Sequence, residues 1–137
     1  RAAVCDYFSA EREMLKKGDF DIIAHCDLIK LRNGPLNFFN PEESWYKEEL
    51  KATAKEIARA GVITEINTGA IGRGIMDDTY PSQYLLELLF ELGVPVCINS
   101  DAHTTAMLDG AFDRAAAQAK KTGYTELVYP GNNIVQL

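Results

Sequence analysis

The stretch VPVCINSDAH, residues 94–103, decides how this chain is read. An apolar run, Val94 to Ile98, gives way to Asn99-Ser100-Asp101-Ala102-His103. A short apolar run bounded by Gly93 and a polar cluster reads as a buried strand. In extended chain, positions i and i+2 point to the same side. Asp101 and His103 therefore project together from the strand's end. A carboxylate and an imidazole so placed are donors for a single metal ion.

Working outward, apolar strands alternate with helical segments. Residues 6–17 have a helical pattern ended by Gly18, and Asp21 to Ala24 form a short buried strand. LRNGPLNFFNPEES, residues 31–44, reads as a loop. Residues 42–60 form an amphipathic helix, with Asn40-Pro41 and two glutamates at its start and Gly61 at its end. Val62 to Asn67 is a strand, and TGAIGRGIMDDTYP, residues 68–81, a glycine-rich loop. Residues 82–92 are a helix capped by Ser82 and stopped by Gly93. Residues 104–122 are a helix ended by Gly123, and residues 126–137 close the chain with one or two short strands. This alternation means βα units and a parallel sheet, an α/β fold within a single domain, 1–137. Chemistry in such folds sits at the C-terminal ends of the strands.

The overall balance excludes several function classes. With 14 basic and 20 acidic residues the net charge is −6, which argues against a nucleic-acid surface. No apolar run reaches the roughly 18 residues of a membrane span, and the start has no apolar signal segment. The three cysteines, Cys5, Cys26 and Cys97, are odd in number and widely spaced. They read as reduced thiols of a cytoplasmic protein.

The strand-end rule gathers the polar candidates. The first strand delivers His25 and Asp27. The second carries Glu65 and delivers Asn67, Thr68 and Arg73. The third delivers Asn99, Ser100, Asp101 and His103. The two histidines of the chain each stand two residues from an aspartate, in His25-Cys26-Asp27 and Asp101-Ala102-His103. Parallel strands bring both pairs to one rim. Plainer readings compete at each position. A lone histidine after a strand is more often a hydrogen-bonded rim residue than a ligand, and SDAH also reads as a helix N-cap. Glu65 also reads as a half-buried strand residue with a basic partner. The glycines of GAIGRG also read as turn formers, and Arg73 as either an anion holder or a solvated side chain. There is no HExxH, CxxC, P-loop or GxSxG pattern.

The ordered segments GDFDIIAHCDLIK (18–30), ITEINTGAIGRG (63–74), YPSQYLLELLFELGVPVCINSDAHT (80–104) and AFDRAAAQAKKTGY (111–124) resemble the PHP (polymerase and histidinol phosphatase) family, its histidinol-phosphatase branch above all. The resemblance implies the C-terminal part of a distorted, TIM-like (β/α)7 barrel and a metal-dependent phosphatase acting on a small phosphate monoester. L-Histidinol phosphate, an intermediate of histidine biosynthesis, is the substrate it favours. It also implies two or three divalent transition metals, zinc, manganese or iron, in the intact enzyme. His25 matches the histidine of the family's GHxD motif, with Ala24 in place of the glycine. Asp101 and His103 match its last metal motif. Asp27 matches a carboxylate that orients a ligand or takes part in proton transfer, so Asp27 and His103 are the candidate catalytic residues. Glu65, Asn67 and Arg73 match the substrate pocket, Arg73 holding the phosphate. The family's HxHT opening and its next histidine and glutamate ligands are absent, so the chain resembles a C-terminal half. The expected partners are a phosphorylated small molecule and either a second copy or the missing N-terminal half. Neither nucleic acid nor membrane is expected. Two open sheet edges, beside the first strand and near Ile134 and Val135, would carry that association. A nuclease-like module and a non-catalytic half-barrel are the alternatives.

Overall fold

The computed structural model describes residues 1–137, the side chain of Pro35 excepted. Its centre is a sheet of three parallel strands, β1 (Ile22–Ile23), β2 (Ile63–Asn67) and β3 (Val96–Asn99), in that spatial order. Ile23 pairs with Thr64, Thr64 with Val96, Glu65 with Cys97, Ile66 with Ile98 and Asn67 with Asn99. Because side chains alternate along a strand, this register splits the sheet into two faces. Ile23, Thr64, Ile66, Val96 and Ile98 share one face. Glu65, Asn67, Cys97 and Asn99 share the other. A parallel sheet as apolar as the sequence suggests thus has a polar stripe at the end of its central strand.

Helices cover the apolar face. α1 (Ala2–Lys17) and α3 (Ser44–Ala60) bury Val4, Phe8, Leu15, Tyr46, Leu50, Ala54 and Ile57 against Ile23 and against Leu85 and Leu89 of α5 (Gln83–Glu91). A second cluster joins Ile66, Val96 and Ile98 to Leu86 and to Ala115 and Ala119 of α6 (Phe112–Thr122). The glycine stops at the ends of α3 and α5 are seen directly. Gly61 and Gly93 both take φ +70, the left-handed conformation in which a residue without Cβ ends a helix freely.

Several elements depart from the sequence expectation: β1, α3 and β3 start one or two residues late, and four departures are larger. α1 begins at Ala2, because Val4 is buried against the core and extends the helix toward Arg1. The segment expected as loop contains a short helix, α2 (Lys30–Leu36). Its end is fixed by reciprocal bonds between the Asn33 side chain and the backbone of Phe39, at 2.8 and 3.0 Å. In the glycine-rich segment, residues Gly69–Gly72 make one helical turn, α4. The helix expected over 104–122 is broken: a 3₁₀ turn spans Thr105–Met107, and α6 starts only at Phe112. The Thr68 hydroxyl donates to the Gly110 carbonyl at 2.6 Å and draws the chain out of helix there. Ala111 follows at φ +60. Ser100 and Asp101 are therefore not N-caps of a long helix.

The C-terminal strands, β4 (Glu126–Tyr129) and β5 (Asn133–Gln136), form a separate antiparallel hairpin. It closes the outer edge of β3 through side chains. The Tyr129 hydroxyl accepts from Ile98 N–H at 3.4 Å and donates to Ile98 O at 3.1 Å. Tyr124 donates to Val94 O at 3.1 Å. The hairpin covers β3, but β5, which carries the exposed Ile134 and Val135, pairs with β4 alone among the described residues, so the edge expected there is open. Among the described residues, β1 pairs with β2 alone.

Candidate functional site

The three parallel strands end at the same rim, and the first residue of each His/Asp pair turns there. His25, two residues past β1, has φ +34, and Asp101, two residues past β3, has φ +48. Left-handed backbone is uncommon for residues with a side chain and persists where surrounding contacts impose it. At His25 the contact is to Glu65, whose Oε2 accepts the His25 N–H at 3.2 Å. The same carboxylate accepts from Asn67 Nδ2 at 2.9 Å and, through Oε1, from Asn99 Nδ2 at 3.0 Å. Every partner is a donor, so this buried position calls for a group that only accepts. Glu65 thereby ties the ends of β1, β2 and β3 together. Asn67 passes the order on, its Oδ1 accepting the Gly69 N–H at 2.9 Å.

The Asp101 end is the open part of the rim. Arg73 Nη1 donates to Asp101 O at 3.0 Å, and Nη2 to Asp101 Oδ2 at 3.1 Å. Gly69 lets this pair approach. A Cβ at Gly69 would lie 2.9 Å from Arg73 Nη1, from Asp101 Cβ and from Asp101 Oδ2. His103 stands outside, 64% exposed, with Nε2 3.5 Å from Asp101 Oδ1.

Asp27 has a different setting. It is fully buried, and its Oδ2 accepts the Ser82 N–H at 2.7 Å. The Ser82 hydroxyl makes no capping bond to α5, although Ser82 holds the N-cap position. Lys30 Nζ lies 3.7 Å from Asp27 Oδ2 and 2.7 Å from Asp78 Oδ2, donates to Thr79 O, and sits 5.1 Å from the centre of the Tyr80 ring. Tyr80 in turn bridges to the end of β2, exchanging backbone bonds with Asn67 at 2.6 and 3.1 Å. Asp27 and Lys30 thus hold the loop that carries Tyr80 beneath the rim. The His25 ring packs edge-on to Tyr80, 6.4 Å between centroids. Tyr80 and Gly69 are the site neighbours that sequence reasoning did not single out. Their only signals were an aromatic before a proline and one glycine among several.

Burial sets the charge state of neighbouring groups. Burial first, then the Glu65 charge, pushes the Cys97 thiol up to about 12, so it is no ready thiolate ligand. On the other side of β1, Glu11 of α1 is pushed up to about 9 by burial first and by Asp27 next. Its Oε2 has no hydrogen-bond partner among the described residues. Glu11 lines a trough of about 510 Å³ with Tyr7, Met14, Phe20, Ile22 and His25, beside the free edge of β1.

The fit of these residues to a metal can be tested on geometry. The 3.5 Å between Asp101 Oδ1 and His103 Nε2 is close to the edge of a coordination tetrahedron with bonds of about 2.1 Å. Two donors are not a site, however. Among the described residues no group of three or more His, Cys, Asp or Glu is placed to hold an ion. His25, Asp101 and His103 share one end of the sheet without forming a single metal-sized group. Asp101 Oδ2 is moreover already engaged by Arg73.

No family model matches the chain. It is similar to a Schizosaccharomyces pombe protein named "Probable histidinol-phosphatase", 30% identical over 125 residues. The match covers 89% of this chain, which spans 40% of that relative's length. Among the described residues no helix is long and apolar enough to cross a membrane.

Proposed function

We propose that this chain supplies part of the active site of a phosphatase that hydrolyses a small phosphate monoester, L-histidinol phosphate being the favoured substrate. The observation that carries the reading is the Arg73–Asp101–His103 grouping at the C-terminal rim of a parallel sheet. The similarity to a protein named for that activity supports it. Arg73 presents a guanidinium fork, the group best matched to a phosphate's paired oxygens. Glu65 and Asn67 set the rim backbone on which the substrate would rest, and Asp27 fixes the loop below it. Asp101 and His103, with His25 from the β1 end, are the residues offered to a divalent zinc, manganese or iron ion. The rest of its ligands would have to come from outside this chain. A bound ion of this kind supplies Lewis-acid charge and an acidified water. Because the donors present do not complete its site, the roles assigned here are only those of the chain's own side chains.

The same reading includes a PHP-type barrel closed by further polypeptide, either a second copy or a separate half. The free β1 edge and the apolar trough beside it favour this over a self-contained sheet. Sedimentation at micromolar concentration tests it: association is expected, and a well-folded monodisperse monomer would count against it.

The activity is tested with L-histidinol phosphate and a generic aryl phosphate, with and without added manganese or zinc. The expected result is feeble hydrolysis that needs the ion and disappears in Asp101→Asn. Robust turnover that survives a chelator would overturn the metal-assisted reading. Cleavage of phosphodiesters alone would move the chain to the nuclease-like class.

A further inference from the structure

Beside the free edge of β1 one carboxyl is left unmatched. β1 pairs with β2 alone among the described residues, so the outward side of its backbone is open to another strand. The trough of about 510 Å³ along that edge has apolar walls, Tyr7 and Met14 from α1 and Phe20 and Ile22 from the β1 side. Glu11 lines it too, its Oε2 shut off from solvent and without a hydrogen-bond partner among the described residues. A buried polar atom left in that state is costly. The nearby cations are committed elsewhere. Arg12 donates to Glu49 Oε2 at 2.8 Å and to Thr53 Oγ1 at 3.1 Å. Lys30 is held between Asp78 and Asp27. Of the residues lining the trough only His25 carries a basic group, and the exposed Asp19 and Asp21 add negative charge at the approach to β1.

A free backbone edge, apolar walls and an unmatched carboxyl together describe a seat for extended chain. An added strand gains affinity from main-chain bonds and is selected by pockets for its alternate side chains. We propose that the trough seats a β-strand of separate polypeptide whose inward side chains are apolar except for one lysine or arginine set against Glu11. The strand's backbone completes β1, its apolar side chains cover Tyr7, Met14 and Phe20, and its cation gives the Glu11 carboxyl both a donor and a compensating charge. A second copy does not supply such a strand. Its own open strands, Ile22–Ile23 and Asn133–Gln136, contain no lysine or arginine. The relative of which this chain spans 40% has length to spare for one. The proposal rests on the reading that further polypeptide closes the sheet, and adds the chemistry by which that polypeptide is chosen.

Capped peptides of the sequence Thr-Val-Thr-Lys-Thr-Val-Thr, and counterparts with Gln or Glu at the centre, probe the seat. The amide NMR lines of Ile22 and Ile23 report strand addition. Salt at about 0.5 M screens the chain's general negative charge, so that what remains is the contact with Glu11. Under these conditions the Lys peptide is expected to shift both lines and to bind about tenfold or more tightly than the Glu peptide. In Glu11→Gln that margin should fall to about twofold or less. If Glu11→Gln folds poorly, the ranking on the wild-type chain, Lys above Gln above Glu, decides by itself. Equal binding of the three peptides, or a margin that survives intact in Glu11→Gln, overturns the selection by Glu11 and leaves closure by further polypeptide standing. No shift at Ile22 and Ile23 with any peptide at millimolar concentration overturns the seat, as do shifts that hexylamine alone reproduces. Shifts that grow with chain concentration in the absence of peptide give the edge to a second copy and overturn it equally. Closure as such is read separately, by sedimentation.

Discussion

His25-Cys26-Asp27 and Asp101-Ala102-His103 are near mirror images in sequence, and the fold uses them in opposite ways. In each, the first member turns at the rim in left-handed backbone, and the second goes where the following chain leads. After β1 the chain runs into α2 beneath the rim, so Asp27 is carried into the interior and holds Ser82 N–H and Lys30. After β3 the chain runs outward into a 3₁₀ turn, so His103 is left in solvent and Asp101 stays half-open beside Arg73. Residue spacing sets which groups can neighbour each other. The path of the chain after the strand sets whether a carboxylate is buried as framework or left half-open at the rim.

The sharpest way to break this contrast is to remove the two carboxylates separately. Asp27→Ala strips the acceptor from a buried backbone N–H and leaves Lys30 poorly paired, for an expected loss of about 3 kcal/mol. Asp101→Ala, at a half-open position, should cost no more than about 1 kcal/mol while abolishing whatever the rim binds. Urea unfolding of the two variants measures both. Equal losses would mean that Asp27 is no more structural than Asp101.

Gly69→Ala probes the open end alone. The added methyl would meet Asp101 Cβ and Oδ2 and Arg73 Nη1, each at 2.9 Å, and Asp101 Cβ is no flexible chain end that can swing aside. Overpacking of this kind costs about 1–3 kcal/mol. It should also shift the His103 NMR signals while leaving those of His25 in place. A shift confined to His25 would reverse the assignment of the two ends.

Glu11 sharpens the buried end through pH. Its carboxyl is raised from 4.5 to about 9 in the folded chain, so the folded state keeps a proton that the unfolded state releases. Its contribution is fully present below pH 4.5 and is lost as pH rises toward about 9. At the steepest, stability should fall by about 1.4 kcal/mol per pH unit from this group. Glu11→Gln should flatten that slope, seen as urea midpoints at pH 5.5 and 8.5 that lie closer together than in the wild-type chain. An unchanged slope would show that Glu11 is hydrated rather than buried against Asp27.

The smallest effect is expected at His103. With 64% of its side chain exposed, His103→Asn should move stability by no more than about 0.5 kcal/mol. Thermal unfolding checks this, and a larger loss would mean that the rim depends on the ring for its structure.

Much of the fold was legible because local chemistry acts alone at many positions. The apolar runs around Ile22, Ile66 and Ile98 form strands under almost any context, and glycines 61 and 93 end helices because they reach positive φ without a Cβ. Parallel pairing followed from the strand–helix alternation, and with it the delivery of His25 and Asp101 to the same end of the sheet. Contacts distant in sequence decided the rest. A hydroxyl at Thr68 broke the helix expected after Thr104 by taking a carbonyl 42 residues on. Bonds from Asn33 to Phe39 closed a helix where only loop residues were visible. The site divides in the same way. The sequence by itself determined which residues reach the rim, since strand period and strand end are local properties. Only the tertiary structure decided that Asp27 is buried, that Glu65 gathers three donors, and that Arg73 rests on Asp101. Burial and pairing depend on what the rest of the chain places opposite each group, and residue spacing carries no record of that.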